Sequence, residues 1–275
     1  MKRRQHNVQD LLTYYNRGAE RERLDDPKGL IEFERTKEVI LRRLPPPPAR
    51  IADVGGGPGR YTLWLASLGY RVHHRDLVAL HVEQLQEALA GESGSRIDTA
   101  VGDACHLDLA DQSADAVLLM GPLYHLPQRP DRLQALREAK RILKPGGALF
   151  VTAISRWSPR LDAVVGLKIY ETFPEVLDDV GRVERSGWFP PLIPGGFTGY
   201  GHRPQQLRAE IRGAGLAVVS LVGLEMVTFL LHDLSDRVRN PHALRVLLES
   251  ARALEAVPEL LGLSPHLLAT AVRPD

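Results

Sequence analysis

The chain has 275 residues, 44% of them hydrophobic and 25% charged, the composition of a water-soluble globular protein with a sizeable core. Its 35 Lys and Arg are balanced by 34 Asp and Glu, so no field of one sign exists to concentrate nucleic acid or an anionic membrane surface. Cys105 is the single cysteine, which excludes an intramolecular disulfide and any multi-thiolate zinc site and points to a reducing cytoplasm.

The amino-terminal MKRRQHNVQDLL starts with charges, but no apolar stretch of the secretory kind follows, so a cytoplasmic location without export is expected. The apolar run AVVSLVGLEMVTFLL is interrupted by Glu225 and is too short to span a bilayer comfortably. It reads as a buried strand leading into another element, and no membrane partner is expected.

Residues 8–43 place Leu11, Leu12 and Tyr15, and then Ile31, Phe33, Val39, Ile40 and Leu41, at roughly helical spacing around the break DDPKG. Prolines 45–48 cannot continue a helix and form a stiff connector into a strand, although a proline-rich ligand for another protein is a competing reading. Residues 1–44 are thus expected to form a helical cap, and 45–275 the main domain.

From Arg50 onward short β runs alternate with helical segments: RIADV, a helix over 61–68, RVHHRD, a helix over 78–89, RIDTAVGD, ADAVLLM, a helix over 129–143, and GALFVTAI. This alternation predicts an α/β fold, a parallel sheet covered by helices on both faces. LAVVSLVGLE and LLATAVRP supply two further strands, for seven in all. Two segments interrupt the pattern at the carboxyl ends of strands. Residues 155–205 carry Trp157, Tyr170, Phe173, Trp188, Phe189, Phe197 and Tyr200, and residues 225–262 look mostly helical. Ligands bind at that edge of an open sheet, so both are expected to form a lid or substrate wall, the alternative being that the aromatics only cover the sheet.

The stretch RIADVGGGPGR sets Gly55, Gly56, Gly57 and Gly59 directly after a predicted strand and before a predicted helix. Glycine at such density is expected where backbone takes positive φ or must approach something closely. The spacing is G-x-G-x-G. A dinucleotide site would prefer G-x-G-x-x-G with a pyrophosphate on the helix N-terminus. Asp76 ends the second strand about 20 residues after the glycines, where a carboxylate can accept the hydroxyls of a ribose. Asp103, in VGDA, ends the third strand, where a carboxylate could accept from an exocyclic adenine amine.

Taken in order, DVGGGPG, Asp76, the GDA of Asp103 and LKPGG at 143–147 resemble the class I S-adenosylmethionine-dependent methyltransferases over about residues 35–155. The resemblance implies a Rossmann-like doubly wound sheet of seven mostly parallel strands, with S-adenosylmethionine as cofactor. By it, Gly55 and Gly57 approach the methionine and ribose part, Asp53 helps orient the cofactor, Asp76 holds the ribose and Asp103 meets the adenine, with Leu77, Ala104 and Met120 beside them. The loop MGPLYHL at 120–126 is similar to that of bacterial small-molecule methyltransferases and lacks an Asn-Pro-Pro-Tyr motif, which argues against a nucleic-acid substrate. It puts Tyr124 and His125 nearest the acceptor. The amino-terminal helix resembles one that folds over the cofactor, and of Tyr14 and Tyr15 at most one can face it.

A general base is needed only if the acceptor holds a proton at working pH. His125 is the first candidate and His202 the second, a structural role being the alternative for each. Trp157, Tyr200 and His202 are candidates for the acceptor pocket, and Arg156 or Arg160 for an anionic group on the acceptor. His73 and His74 are adjacent in a strand and point to opposite faces, so they make no metal pair, and no metal is expected. Cys105 reads as a small buried residue. The expected reaction is methyl transfer to nitrogen or oxygen, less readily sulfur, of a small-molecule acceptor. The alternatives are a non-catalytic S-adenosylmethionine sensor or partner subunit, a peptide methyltransferase, and a nicotinamide oxidoreductase. A homodimer is left open.

Overall fold

The computed structural model describes residues 2–90, 96–192 and 196–275, with side chains from Val8 onward. Helices α1 (Lys2–Tyr15) and α2 (Pro27–Leu41) come first, joined by a 3-10 stretch at Ala19–Asp25. The DDPKG break is the start of α2. Asp26 accepts a hydrogen bond from the Gly29 amide at 2.6 Å and Pro27 takes the first helical position, where its missing N–H costs nothing. Residues 42–49, which include the four prolines, connect α2 to the sheet without regular structure.

Strands β1 (Arg50–Val54), β2 (Arg71–Asp76) and β3 (Ile97–Val101) alternate with α3 (Arg60–Ser67) and α4 (Ala79–Ala88), and β4 (Ala114–Leu119), α5 (Arg129–Ile142) and β5 (Leu143–Ile154) follow. After β5 come α6 (Ser158–Leu161), α7 (Val176–Ser186) and an antiparallel pair of short strands, β6 (Trp188–Phe189) and β7 (Gly199–Tyr200). The chain closes with α8 (Pro204–Gly213), β8 (Ala217–Gly223), α9 (Leu234–Arg239), α10 (Pro241–Leu254) and β9 (His266–Val272).

The main sheet has seven strands in the order β3-β2-β1-β4-β5-β9-β8. Only β9 runs against its neighbours. Its inner strands are buried almost throughout, as a sheet covered on both faces requires. The period-two alternation sorts them into two core layers. Ala52, Val54, Val117, Leu119, Leu149 and Val151 pack with Leu136 of α5 and Leu207 and Ile211 of α8. Ile51, Ala116, Leu118 and Phe150 pack with Val39 and Ile40 of α2 and Leu65 of α3. Strand order reverses between β1 and β4, which opens a crevice at their carboxyl ends.

The two insertions behave differently from the expected substrate wall. Helices α9 and α10 lay Leu234 and Leu247 against Ile31 of α2, because that is where their apolar faces find cover. In the 155–205 segment the Phe197 ring packs on Tyr14 and His125 at centroid distances of 5.2 and 4.8 Å.

Candidate active site

The crevice widens into a cavity of about 1190 Å³ counted to its open mouth. No described residue of 155–205 or 225–262 lines it; α1 and the 3-10 stretch after it supply the outer wall through Val8, Leu11, Tyr15, Glu20, Arg23 and Leu24.

The floor is the glycine loop, and its glycines serve different ends. Gly55 has φ +70°, and a Cβ there would stand 2.6 Å from Cδ of Pro122, so it lets the β1 and β4 loops touch. Gly57, at φ +58°, faces open space with only Glu20 Cγ at 3.9 Å, which leaves its backbone bare toward the cavity. Its amide donates to Asp76 Oδ2 at 2.8 Å, and its carbonyl accepts from His74 Nε2 at 2.9 Å. His74 is buried and held in turn by Thr99 at 2.9 Å, so it braces the loop from β2. His73 points the other way, to Asp98 at the surface.

Asp53 does not reach the cavity. It is fully buried under the loop, with Oδ2 accepting from the Thr62 hydroxyl at 2.7 Å. Burial pushes its carboxyl up, against the pull of neighbouring His74 and Thr62. It orients the loop, and contact with a ligand is left to other residues.

Asp76, Leu77, Asp103, Ala104 and Met120 all line the cavity. Asp76 Oδ1 accepts from the Val78 amide at 2.8 Å and meets His81 Nδ1 at 3.1 Å. Burial alone would raise this carboxyl, but His81 and the Val78 and Gly57 amides outweigh it and hold the group below the usual carboxylate range. Asp103 turns one oxygen to the Cys105 amide at 2.9 Å. Cys105 is buried, with its thiol on the Asp131 carbonyl.

At the inner end, a 3-10 turn at Pro122–His125 presents Tyr124 and His125. Tyr15 and Tyr14 divide as helix geometry demands. Tyr15 faces inward with its hydroxyl 2.8 Å from His125 Nε2, while Tyr14 packs on Phe197. Desolvation pushes His125 down to about 3 and lifts the hydroxyls of Tyr15 and Tyr124, so all three are neutral near pH 7. An imidazole held that low is a poor general base at neutral pH.

Arg23 donates to Glu20 at 2.7 Å and to both oxygens of Glu32 at 2.5 and 3.1 Å. Behind it, His266 Nδ1 lies 2.5 Å from Glu225 and 3.7 Å from Glu32. Burial would lower His266, but Glu32 and Glu225 raise it to about 9, so it carries its charge. With Arg23 it offsets the charge of the buried carboxylates.

Trp157, Tyr200 and His202 stay off the cavity, contrary to expectation. Trp157 is a partly exposed residue packed on Gly262. Tyr200 lies under the Arg132 guanidinium at 3.6 Å, and His202 is fully buried 3.2 Å from Glu210. Arg156 is buried against Tyr200 and Gln206, and Arg160 pairs with Glu184. Their own polar partners hold these side chains in place. Sequence reading missed Glu20 and Arg23, for which the charged run AERERLDD was a signal, and His74 and His81, for which there was none.

The donor set suits S-adenosylmethionine. Glu20, Asp76, Asp103 and Asp131 line the cavity against Arg23 and Arg60, which favours a ligand carrying positive charge. The Gly57 backbone approaches without a phosphate-binding lysine, and buried His81 Nε2 and His125 Nδ1 lack partners among the described residues.

Comparisons agree. Residues 52–151 match the family described as "Methyltransferase domain". The chain is 31% identical over 193 residues to the ubiquinone biosynthesis O-methyltransferase of Xanthomonas axonopodis pv. citri (strain 306), covering 68% of this chain and 70% of that one. Its fold is similar to that of a SAM-dependent methyltransferase from Methanosarcina mazei, with TM-score 0.58 and 20% identity over 86% of this chain and 97% of the other. It is also similar to Haemonchus contortus phosphoethanolamine N-methyltransferase 2 in complex with S-adenosyl-L-methionine, with TM-score 0.56 and 19% identity over 88% and 52% of the respective chains. No described helix is long and apolar enough to cross a membrane. The chain belongs to the class I S-adenosylmethionine-dependent methyltransferases, with S-adenosylmethionine as its cofactor.

Proposed function

We propose that this enzyme methylates an oxygen or nitrogen of a small, partly apolar molecule held between the Pro122–His125 turn and α1. The carrying observation is that Tyr15, Tyr124 and His125 converge in the cavity that Leu11 and Val8 also line. Residues 1–44 act as a cap in this reading, since α1 and the stretch after it form the outer wall. The name of the Xanthomonas relative, an O-methyltransferase, favours oxygen.

Gly57 and Gly55 would receive the methionine part of the cofactor, with Arg23 and Glu20 for its carboxylate and amine. Asp76 and His81 would take the ribose, and Asp103 and Ala104 the adenine. When bound, S-adenosylmethionine supplies a methyl group already activated by its sulfonium charge. The chain's own part is to align the acceptor and exclude water, which is worth about 7–11 kcal/mol in favourable cases. Val8, Leu11, Leu126 and Pro127 supply the apolar walls for that.

The test is calorimetric titration with S-adenosylmethionine and NADH, followed by a screen of phenols, carboxylic acids, amines and short peptides with methyl-labelled cofactor. Transfer to a small hydroxyl or amine compound is the expected result. Transfer to peptides alone, or binding without transfer, would overturn the reading.

A further inference from the structure

Tyr15 and His125 are 110 positions apart in sequence, and in their contact the donor and acceptor roles depend on the imidazole tautomer. A buried phenol keeps its single proton, and it donates to an acceptor within reach. Among the described residues Nε2 of His125, at 2.8 Å, is the acceptor the Tyr15 hydroxyl meets. Nε2 therefore uses its lone pair, and a neutral imidazole then carries its hydrogen on Nδ1. That Nδ1 is shut off from solvent, has no partner among the described residues, and belongs to a side chain lining the cavity. The rings of Tyr124 and Phe197 pack on the imidazole at 4.6 and 4.8 Å between centroids and limit its rotation.

We propose that Tyr15 is a positioning residue that holds His125 as an Nδ1–H donor, and that this donor binds an anionic oxygen of the acceptor. His125 is then not the general base expected from the sequence. The inference rests on the methyl-transfer reading above and narrows its acceptor to a phenol or a carboxylic acid that arrives ionised. The balance closes without a base. The acceptor oxygen forms its bond to the methyl carbon with its own electron pair, the carbon–sulfur bond breaks with its pair remaining on sulfur, and no proton has to leave.

Two measurements test it. Long-range proton–nitrogen NMR of histidine-labelled protein, assigned with His125→Gln, reports the tautomer directly. Hydrogen on Nδ1 is expected, with a shift toward a tautomer mixture in Tyr15→Phe; hydrogen on Nε2 of the wild type overturns the proposal. If the glutamine variant does not fold, Tyr15→Phe serves for assignment. The second measurement uses wild-type protein saturated with S-adenosylhomocysteine, at a pH where 4-nitrophenol is ionised. The phenolate should bind roughly tenfold or more tighter than 4-nitroanisole, and His125→Phe should erase that preference. Equal binding of the two probes overturns the acceptor assignment. Failure to bind S-adenosylhomocysteine in the same titration would instead strike the functional reading beneath it.

Discussion

Arg132 of α5 and Glu210 of α8 form a buried two-point ion pair, Nε to Oε2 at 2.8 Å and Nη2 to Oε1 at 2.7 Å. The remaining Nη1 donates to the carbonyls of Leu126 and Pro127 at 2.9 and 2.8 Å. Those carbonyls directly follow His125, so the pair anchors the end of the turn that presents Tyr124 and His125. Buried His202 meets the same Oε2 of Glu210 at 3.2 Å and does not line the cavity.

Arg132→Met should therefore destabilise the protein by about 3–5 kcal/mol, because it leaves Glu210 charged, buried and short of a partner. Arg132→Met with Glu210→Leu should recover much of the loss, as urea denaturation would show. An additive double mutant would mean that the pair is not coupled.

The glycines of the loop should not be equivalent. Gly55→Ala combines a positive φ with a Cβ pressed against Pro122, so both stability and cofactor binding should fall. Gly57→Ala has room for its methyl group and should cost only the left-handed strain, about 1–2 kcal/mol. Its effect should appear mainly in cofactor affinity, because the added methyl stands where the backbone is bare. Thermal melts and calorimetry on the two variants separate these outcomes.

Asp76→Asn should weaken S-adenosylmethionine binding by roughly tenfold or more while the fold persists. An amide in place of the carboxylate sets one N–H group against the Gly57 or Val78 amide, where an acceptor is needed. Unchanged affinity by calorimetry would remove Asp76 from the cofactor site.

His266 should make stability fall in alkali. Its folded pKa is raised from 6.5 to about 9, so its contribution is complete below 6.5 and is lost as pH rises through 9. The amount is on the order of 2 kcal/mol, given that the side chain keeps a 22% exposed edge. Melting temperatures followed across this range should decline in the wild type and decline less in His266→Gln. Parallel curves would show that Glu32 and Glu225 do not depend on its charge.

Much of the molecule was legible in one dimension because local rules govern it. Alternation of short β runs with helical periods was enough for the seven strands, and the inner ones, buried on both faces, are apolar along most of their length. The glycine loop, Asp76 and Asp103 were legible because each ends or follows a strand, and parallel strands deliver their carboxyl ends to one edge. Asp53 was misplaced for the same reason. Being adjacent to the loop in sequence put it beneath the loop in space, where its carboxylate meets Thr62.

What the tertiary structure alone decided are the pairings between distant segments. Nothing in the order of residues joins Tyr15 to His125, Glu32 to Arg23 and His266, or Tyr200 and His202 to Arg132 and Glu210. A polar side chain inside a protein has to find a partner, and which one it finds depends on how the segments pack, so a tyrosine or histidine that reads as a site residue can be a satisfied internal one. The order of apolar runs, glycines and strand-ending carboxylates along the chain thus determined a doubly wound sheet with a cofactor edge, while packing determined which side chains look into it.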